Sequence, residues 1–82
     1  MAIFVPHPRL AKSLGATEIR SKASTVGELL DEIRARVSAE EWESASRATV
    51  LVNGRSFRSL QGRATPLKEN DEVWMVLPAA GG

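Results

Sequence analysis

The chain has 82 residues, 43% hydrophobic and 26% charged, which fits one small folded domain and excludes an intrinsically disordered segment. Eleven basic against ten acidic residues leave a net charge of +1, so no global field attracts nucleic acid or an anionic membrane. Cysteine is absent, which excludes a disulfide framework, a thiolate metal site and a cysteine nucleophile.

The first third of the chain predicts two strands joined by a helical turn. Residues 2–6 form a β-prone run that ends at Pro6-His7-Pro8, because two prolines remove hydrogen-bond donors. Residues 9–14 favour a helical turn closing at Gly15, and residues 17–23 alternate well enough for a second, weaker strand. We therefore expect an N-terminal hairpin with a long connection.

The central segment predicts the main helix. Thr25-Val26-Gly27-Glu28 fits a capping box, in which the threonine hydroxyl accepts from a helical N–H and the glutamate reaches back to the cap. Apolar residues then recur at helical spacing on one stripe: Val26, Leu29, Leu30, Ile33 and Val37. A second cap at Ser38-Ala39-Glu40-Glu41 precedes Trp42, which is expected to cover one end of the core, with ligand stacking as the alternative.

The C-terminal half predicts the remaining strands. Residues 48–52 form a β run broken by Asn53-Gly54, which favours a tight reversal, and residues 56–58 return briefly. In the last strand, residues 72–77, alternation places Val73, Met75 and Leu77 on one side and Trp74 and Val76 on the other. The pattern predicts an α+β fold with a mixed sheet of four to five strands on one main helix.

The C-terminus is a separate feature. Gly81 and Gly82 have no Cβ, so together they are able to thread a narrow channel and present the α-carboxylate to an enzyme. Pro78, Ala79 and Ala80 form a short spacer between this pair and the last strand. The alternative is an unselected chain end without function.

These segments together resemble the MoaD/ThiS family of sulfur-carrier proteins over nearly the whole chain. The resemblance rests on Thr25-Val26-Gly27-Glu28-Leu29-Leu30, Val52-Asn53-Gly54, Leu67-Lys68-Glu69-Asn70-Asp71-Glu72-Val73 and Leu77-Pro78-Ala79-Ala80-Gly81-Gly82. It implies the ubiquitin-like β-grasp fold, with a β-grasp domain over residues 1–78 and a flexible tail over residues 79–82. Asn70 stands where the family most often has glycine, and asparagine tolerates the left-handed turn. The Pro6-His7-Pro8 insertion departs from the family's usual short connection.

The resemblance also implies a function. Gly82 would be the reactive terminus, activated by an E1-like adenylyltransferase of the MoeB/ThiF type that consumes ATP. A persulfide donor would then convert it to a thiocarboxylate. The acceptor would be an enzyme such as the molybdopterin synthase large subunit, with thiamin, cysteine and transfer-RNA thiolation as other routes. The chain would bind no cofactor or metal and would not itself be an enzyme.

Partner binding requires a folded surface beside the tail. If the alternation is read correctly, Phe4, Leu51, Trp74 and Val76 point away from the face that meets the helix. Arg55 and Arg58 belong to a stretch, residues 47–68, that contains five basic residues and no acidic one, and would form a basic rim. The alternatives are that these apolar residues fill the far side of the sheet and that the charges only solvate a face.

Other functions fit the sequence less well. His7 is the only histidine and has no paired nucleophile in sequence, so catalysis by the chain is not expected. A ubiquitin-like modifier joined through Gly82 to lysines is one alternative, and a non-covalent β-grasp interaction module is another. No apolar run approaches the roughly 20 residues that span a bilayer, and no signal peptide is visible, so the expected compartment is the cytoplasm.

Overall fold

The computed structural model describes residues 1–45 and 47–76. The elements follow in the order β1 (Ala2–Val5), α1 (Pro8–Leu14), β2 (Ile19–Ser21), α2 (Val26–Arg34), α3 (Ala39–Ala45), β3 (Thr49–Val52), β4 (Arg55–Ser56) and β5 (Glu72–Val76), with 3₁₀ turns at Phe57–Ser59 and Gly62–Ala64. Of the weak strand predicted over residues 17–23, only the central part, Ile19–Ser21, is a strand in the structure.

The strands form one mixed five-stranded sheet in the order β2-β1-β5-β3-β4. β1 and β5 pair in parallel, and the other neighbouring strands pair antiparallel. The first and last strands of the chain are therefore adjacent, and β5 has a hydrogen-bonded neighbour on each side. A central position is typical of a strand that is apolar on both faces.

One face of the sheet packs against α2. Four of the five predicted stripe residues are buried together with the inward residues of the central strands, in a core formed by Phe4, Leu10, Ile19, Val26, Leu29, Leu30, Ile33, Ala45, Val50, Val52, Val73 and Met75. The fifth, Val37, lies beyond the end of α2 at Arg34 and packs against this core while half-buried. Trp42 packs against this core while half-buried, as predicted. The predicted mixed sheet on one main helix is confirmed.

Both predicted helix caps are present. The Thr25 hydroxyl accepts from the Glu28 N–H at 3.2 Å at the start of α2, and it donates to Glu28 Oε2 at 3.4 Å. Ser38 and Glu41 form the full reciprocal capping box before α3, with distances of 3.0 and 3.1 Å. These caps satisfy N–H groups that the first helical turn leaves without partners, so each fixes where its helix begins.

The return strand expected at residues 56–58 is wrong for two of its three residues. The ladder with β3 includes Arg55 and Ser56, and the chain then enters the 3₁₀ turn at Phe57. The turn closes when the Leu60 N–H donates to the Phe57 carbonyl at 3.1 Å. Phe57 packs against the core from this position, so burial of its ring outweighs continued strand pairing.

The two tight reversals depend on asparagine. Asn53 has φ 52° and Asn70 has φ 67°, which are left-handed values that asparagine tolerates better than most residues. The Asn53 side chain also ties the reversal to β5, because its amide oxygen accepts from the Glu72 N–H at 2.9 Å. The expectation that Asn70 replaces a family glycine without loss of the turn is confirmed.

Candidate docking face and reactive terminus

The face of the sheet opposite α2 carries an apolar row across three strands. The register sets Val5 beside Trp74 and Trp74 beside Leu51, so one side chain each from β1, β5 and β3 forms the row. Ile3 and Val76 lie on the same face, in neighbouring rows. We call these residues, Ile3, Val5, Leu51, Trp74 and Val76, the outer face.

Trp74 is the most accessible member of the outer face. Its side chain is 42% exposed, whereas the other four members are half-buried. The indole Nε1 donates to Glu72 Oε1 at 2.9 Å, two residues earlier on the same face of β5. The ring is thereby held in one orientation, and a rigid, partly exposed aromatic with a satisfied polar atom is typical of an interface hot spot.

The prediction that Phe4 belongs to this face is wrong. Phe4 is 0% exposed and lies opposite Val73 on the core side of the sheet. The predicted orientation of Leu51, Trp74 and Val76 is correct, while Ile3 and Val5 take the place assigned to Phe4. The run Ile3-Phe4-Val5 is apolar throughout, so alternation in the sequence carries no signal for its phase.

The two arginines predicted at the rim lie in different recesses. Arg55 lies opposite Val52 and borders a recess with Leu60 and Asp71. Arg58 follows β4 and borders a second recess, where its basic neighbour is Arg47. Both predicted side chains are exposed, and their contact with a partner stays a prediction.

The predicted reactive terminus and its spacer lie outside the described residues. This applies to Gly81 and Gly82, to Pro78, Ala79 and Ala80, and to Leu77, which was expected to end the last strand. The boundary proposed between residues 1–78 and 79–82 also falls there. The last described residue is Val76, which pairs with Thr49 at the end of β5.

His7 has a structural role that the sequence did not reveal. It is 4% exposed and caps α1, where its Nδ1 accepts from the N–H groups of Arg9 and Leu10 at 3.2 and 3.4 Å. Burial lowers the pKa of the imidazole below its ordinary value, and the Arg9 guanidinium lowers it further. A neutral imidazole that accepts at Nδ1 carries its proton at Nε2.

The described ranges contain neither a candidate metal site nor a candidate membrane span. Within residues 1–45 and 47–76, no group of three or more histidine, aspartate or glutamate side chains is placed to hold a metal ion. In the same ranges no helix has the length and apolar character needed to cross a bilayer.

The topology is that of the ubiquitin-like β-grasp fold, and solved structures share it over nearly the full chain. A chain of the BexX/CysO complex from Amycolatopsis orientalis superposes with a TM-score of 0.80 at 20% identity, covering 100% of both chains. Small archaeal modifier protein 1 from Methanosarcina acetivorans gives 0.79 at 22% identity, covering 99% of this chain and 95% of that one. A putative molybdopterin converting factor subunit 1 from Pyrococcus furiosus gives 0.70 at 20% identity, with coverages of 95% and 97%.

The family assignment comes from the sequence match. Residues 4–82 match the ThiS family, to which this chain belongs. Members of the family are small carrier proteins rather than catalysts, and they work with E1-like activating enzymes and acceptor enzymes. No match was found among curated proteins. The resemblance to MoaD/ThiS sulfur carriers is thus confirmed.

Proposed function

We propose that this chain is a sulfur carrier whose Gly82 carboxylate is adenylated by an E1-like enzyme and converted to a thiocarboxylate. The observation that carries the proposal is the outer face: an apolar row centred on an exposed, hydrogen-bonded Trp74 lies on β5, the strand that leads directly to the terminal glycines. A partner that docks on this face has Gly82 within reach, because residues 77–82 span at most about 20 Å when extended.

Activation is needed because a carboxylate is a poor acyl donor. The Gly82 carboxylate attacks the α-phosphate of ATP in the partner's site, pyrophosphate leaves, and the carbonyl becomes an acyl-adenylate. A persulfide sulfur then attacks that carbonyl and displaces AMP, and a second thiol of the donor cleaves the resulting disulfide bond to release the thiocarboxylate. Together, these covalent steps replace one difficult transfer with several easier ones.

The chain contributes position rather than catalysis to these steps. Gly81 and Gly82 give the tail the slim backbone that a narrow channel requires, and Pro78 restricts its base by fixing φ. ATP is consumed in the partner's site, of the MoeB/ThiF type, and no cofactor is assigned to this chain. Trp74 and its neighbours supply the docking energy that places the carboxylate against ATP.

The acceptor that we propose to test first is the large subunit of molybdopterin synthase. A proline before the diglycine and the chain length favour this route over thiamin or transfer-RNA thiolation. A cysteine precursor is the second acceptor to test, since a chain of the BexX/CysO complex shares this fold over its whole length. To distinguish these routes, the thiocarboxylate form of the chain is incubated with each purified acceptor enzyme. The enzyme that forms its sulfur-containing product identifies the route.

A modifier role is the second candidate. The similarity to small archaeal modifier protein 1 supports it, because that protein has this fold and a TM-score of 0.79. In this role the acyl-adenylate passes to a lysine amine and Gly82 ends in an isopeptide bond. Peptide mapping of a lysate in which the chain is expressed detects such adducts, whereas a carrier leaves none.

The activation step is tested by ATP–pyrophosphate exchange with the organism's own activating enzyme of the MoeB/ThiF type. Wild-type chain is expected to stimulate exchange, and Gly81→Val is expected to abolish it because a β-branched side chain blocks the channel. Ala79→Val, two residues earlier, is the matched control and should retain most of the activity. Normal exchange with Gly81→Val would contradict the proposed threading of the diglycine.

A further inference from the structure

Arg47 and Arg58 border one recess of about 320 Å³ beside the start of β3, where Thr49 pairs with Val76 of β5. Thr49 and Ser56 line the same recess and add hydroxyl groups to the two guanidinium groups. Buried Val50 and half-buried Phe57 complete its wall. The recess thus combines apolar side chains with the hydrogen-bond donors of two arginines and two hydroxyl residues.

The fold brings these arginines together from different segments. Arg47 precedes β3, and Arg58 follows β4 within the 3₁₀ turn that begins at Phe57. Because β3 and β4 are antiparallel, the chain leaving β4 returns toward the start of β3. The juxtaposition depends on the turn at Phe57, which the sequence does not predict.

The recess has no counter-charge among the described residues. Neither Arg47 nor Arg58 has an ion pair or hydrogen bond there, whereas Arg63 binds Asp31 at 2.8 Å and Arg36 binds Glu32 at 3.2 Å. No acidic residue lines the recess, and none occurs between residues 47 and 68. Two uncompensated guanidinium groups beside free hydroxyls favour an oxyanion.

The recess adjoins the outer face and the end of β5. Thr49 pairs with Val76, the last described residue, and Ser56 pairs with Leu51 of the outer face. Any enzyme that takes Gly82 into its active site must lie within about 20 Å of Val76, because residues 77–82 cannot reach further. An enzyme that docks on the recess side of β5 therefore has Gly82 within reach.

We propose that the recess between Arg47 and Arg58 is a docking pocket for an acidic side chain, aspartate or glutamate, of the enzyme that activates Gly82. This rests on the proposed function, which supplies that enzyme. A carboxylate accepts two parallel N–H groups from a guanidinium, so one acidic side chain is able to engage both arginines or one arginine and a hydroxyl. Since both arginines are exposed, the pocket acts on the association rate and on its salt dependence.

The test compares two double variants of equal charge. Arg47→Ala/Arg58→Ala removes the pocket, and Arg34→Ala/Lys22→Ala removes two exposed positive charges elsewhere. At low salt, we expect the first to slow association with the activating enzyme about three- to tenfold and to flatten the salt dependence, while the second stays close to wild type. The proposed pocket would be contradicted if association slowed to the same degree in both double variants, or if it stayed at the wild-type rate in both.

A second measurement does not require an active partner. We would titrate ¹⁵N-labelled chain with the peptide N-acetyl-Asp-Asp-amide and follow the arginine Nε–H resonances, with the Asn-Asn peptide and inorganic phosphate as comparisons. Saturable shifts confined to Arg47 and Arg58, given by the acidic peptide and not by the amide peptide, support the pocket. Stronger shifts with phosphate would assign it to a phosphate ligand instead and contradict the proposal.

Failure of the pocket and failure of the proposed function give different results. If wild-type chain does not bind the activating enzyme at all, the proposed function fails, and the peptide titration still decides whether the pocket binds a carboxylate. If wild-type chain is activated while both double variants associate at the wild-type rate, the function stands and the pocket is wrong.

Discussion

Phe4 and Trp74 are aromatic residues of adjacent strands with opposite roles. Phe4 is 0% exposed within the core, whereas Trp74 is 42% exposed on the outer face. The difference follows from the parallel register of β1 and β5, which sets Phe4 beside Val73 and Val5 beside Trp74. An aromatic side chain is therefore buried in the core from one strand and accessible on the outer face from the next.

Truncation of Phe4 should reduce stability. Phe4→Ala removes a fully buried ring, and we expect a loss of about 3–5 kcal/mol in the free energy of unfolding. In a domain of this size such a loss is a large part of the total. Urea titration measures it, and the milder Phe4→Leu should cost about 1 kcal/mol and keep the chain folded. Urea midpoints equal to that of the wild-type chain would contradict the burial of Phe4 in the core.

His7 should make stability depend on pH. Its pKa is lowered in the folded state, so the unfolded chain binds more protons near and below pH 6.5. The stabilisation is present in full above the unfolded pKa and is lost as the pH falls through the folded pKa, where protonation of Nδ1 also removes the cap acceptor of α1. We expect the free energy of unfolding to fall between pH 7 and pH 5.

His7→Asn separates this titration from capping. Asparagine is a good N-cap and does not titrate, so the variant should match wild-type stability at pH 7 within about 1 kcal/mol. Its free energy of unfolding should change less between pH 7 and pH 5 than that of the wild-type chain. The same pH slope in both proteins would assign the effect to other groups.

At the scale of elements, the parts encoded by local pattern were predictable. The start of α2, the Ser38 cap and the Asn53-Gly54 reversal depend on residues within a few positions of one another, and each is present. Strand phase in β1 and the shortness of β4 depend on long-range pairing and on where Phe57 packs. The position of Arg47 beside Arg58 depends on the same turn.

The outer face should contribute binding energy rather than stability. Trp74→Ala is expected to weaken the complex with the activating enzyme by about 2 kcal/mol or more, roughly 30-fold in Kd, because an exposed aromatic fixed by its hydrogen bond is a typical hot spot. The cost in unfolding free energy should be about 1 kcal/mol. Titration calorimetry and urea unfolding give the two values. A variant that loses stability but binds normally would place Trp74 outside the interface.

At the scale of the whole molecule, the proposed function divides the chain into a docking domain and a reactive terminus. The sheet fixes Trp74 relative to Val76, and residues 77–82 carry the terminal carboxylate to a site at most about 20 Å away. Docking and chemistry are thus assigned to different parts of one small chain.

The most direct measurement is the intact mass of the chain after incubation with ATP, its activating enzyme and a persulfide donor. For a sulfur carrier we predict a gain equal to sulfur replacing one oxygen, present in the wild-type chain and absent in Gly81→Val. The activating enzyme must be shown to exchange pyrophosphate in the same mixture. An unchanged wild-type mass under those conditions, or lysine-linked adducts in its place, would contradict the assignment of Gly82 as a thiocarboxylate donor.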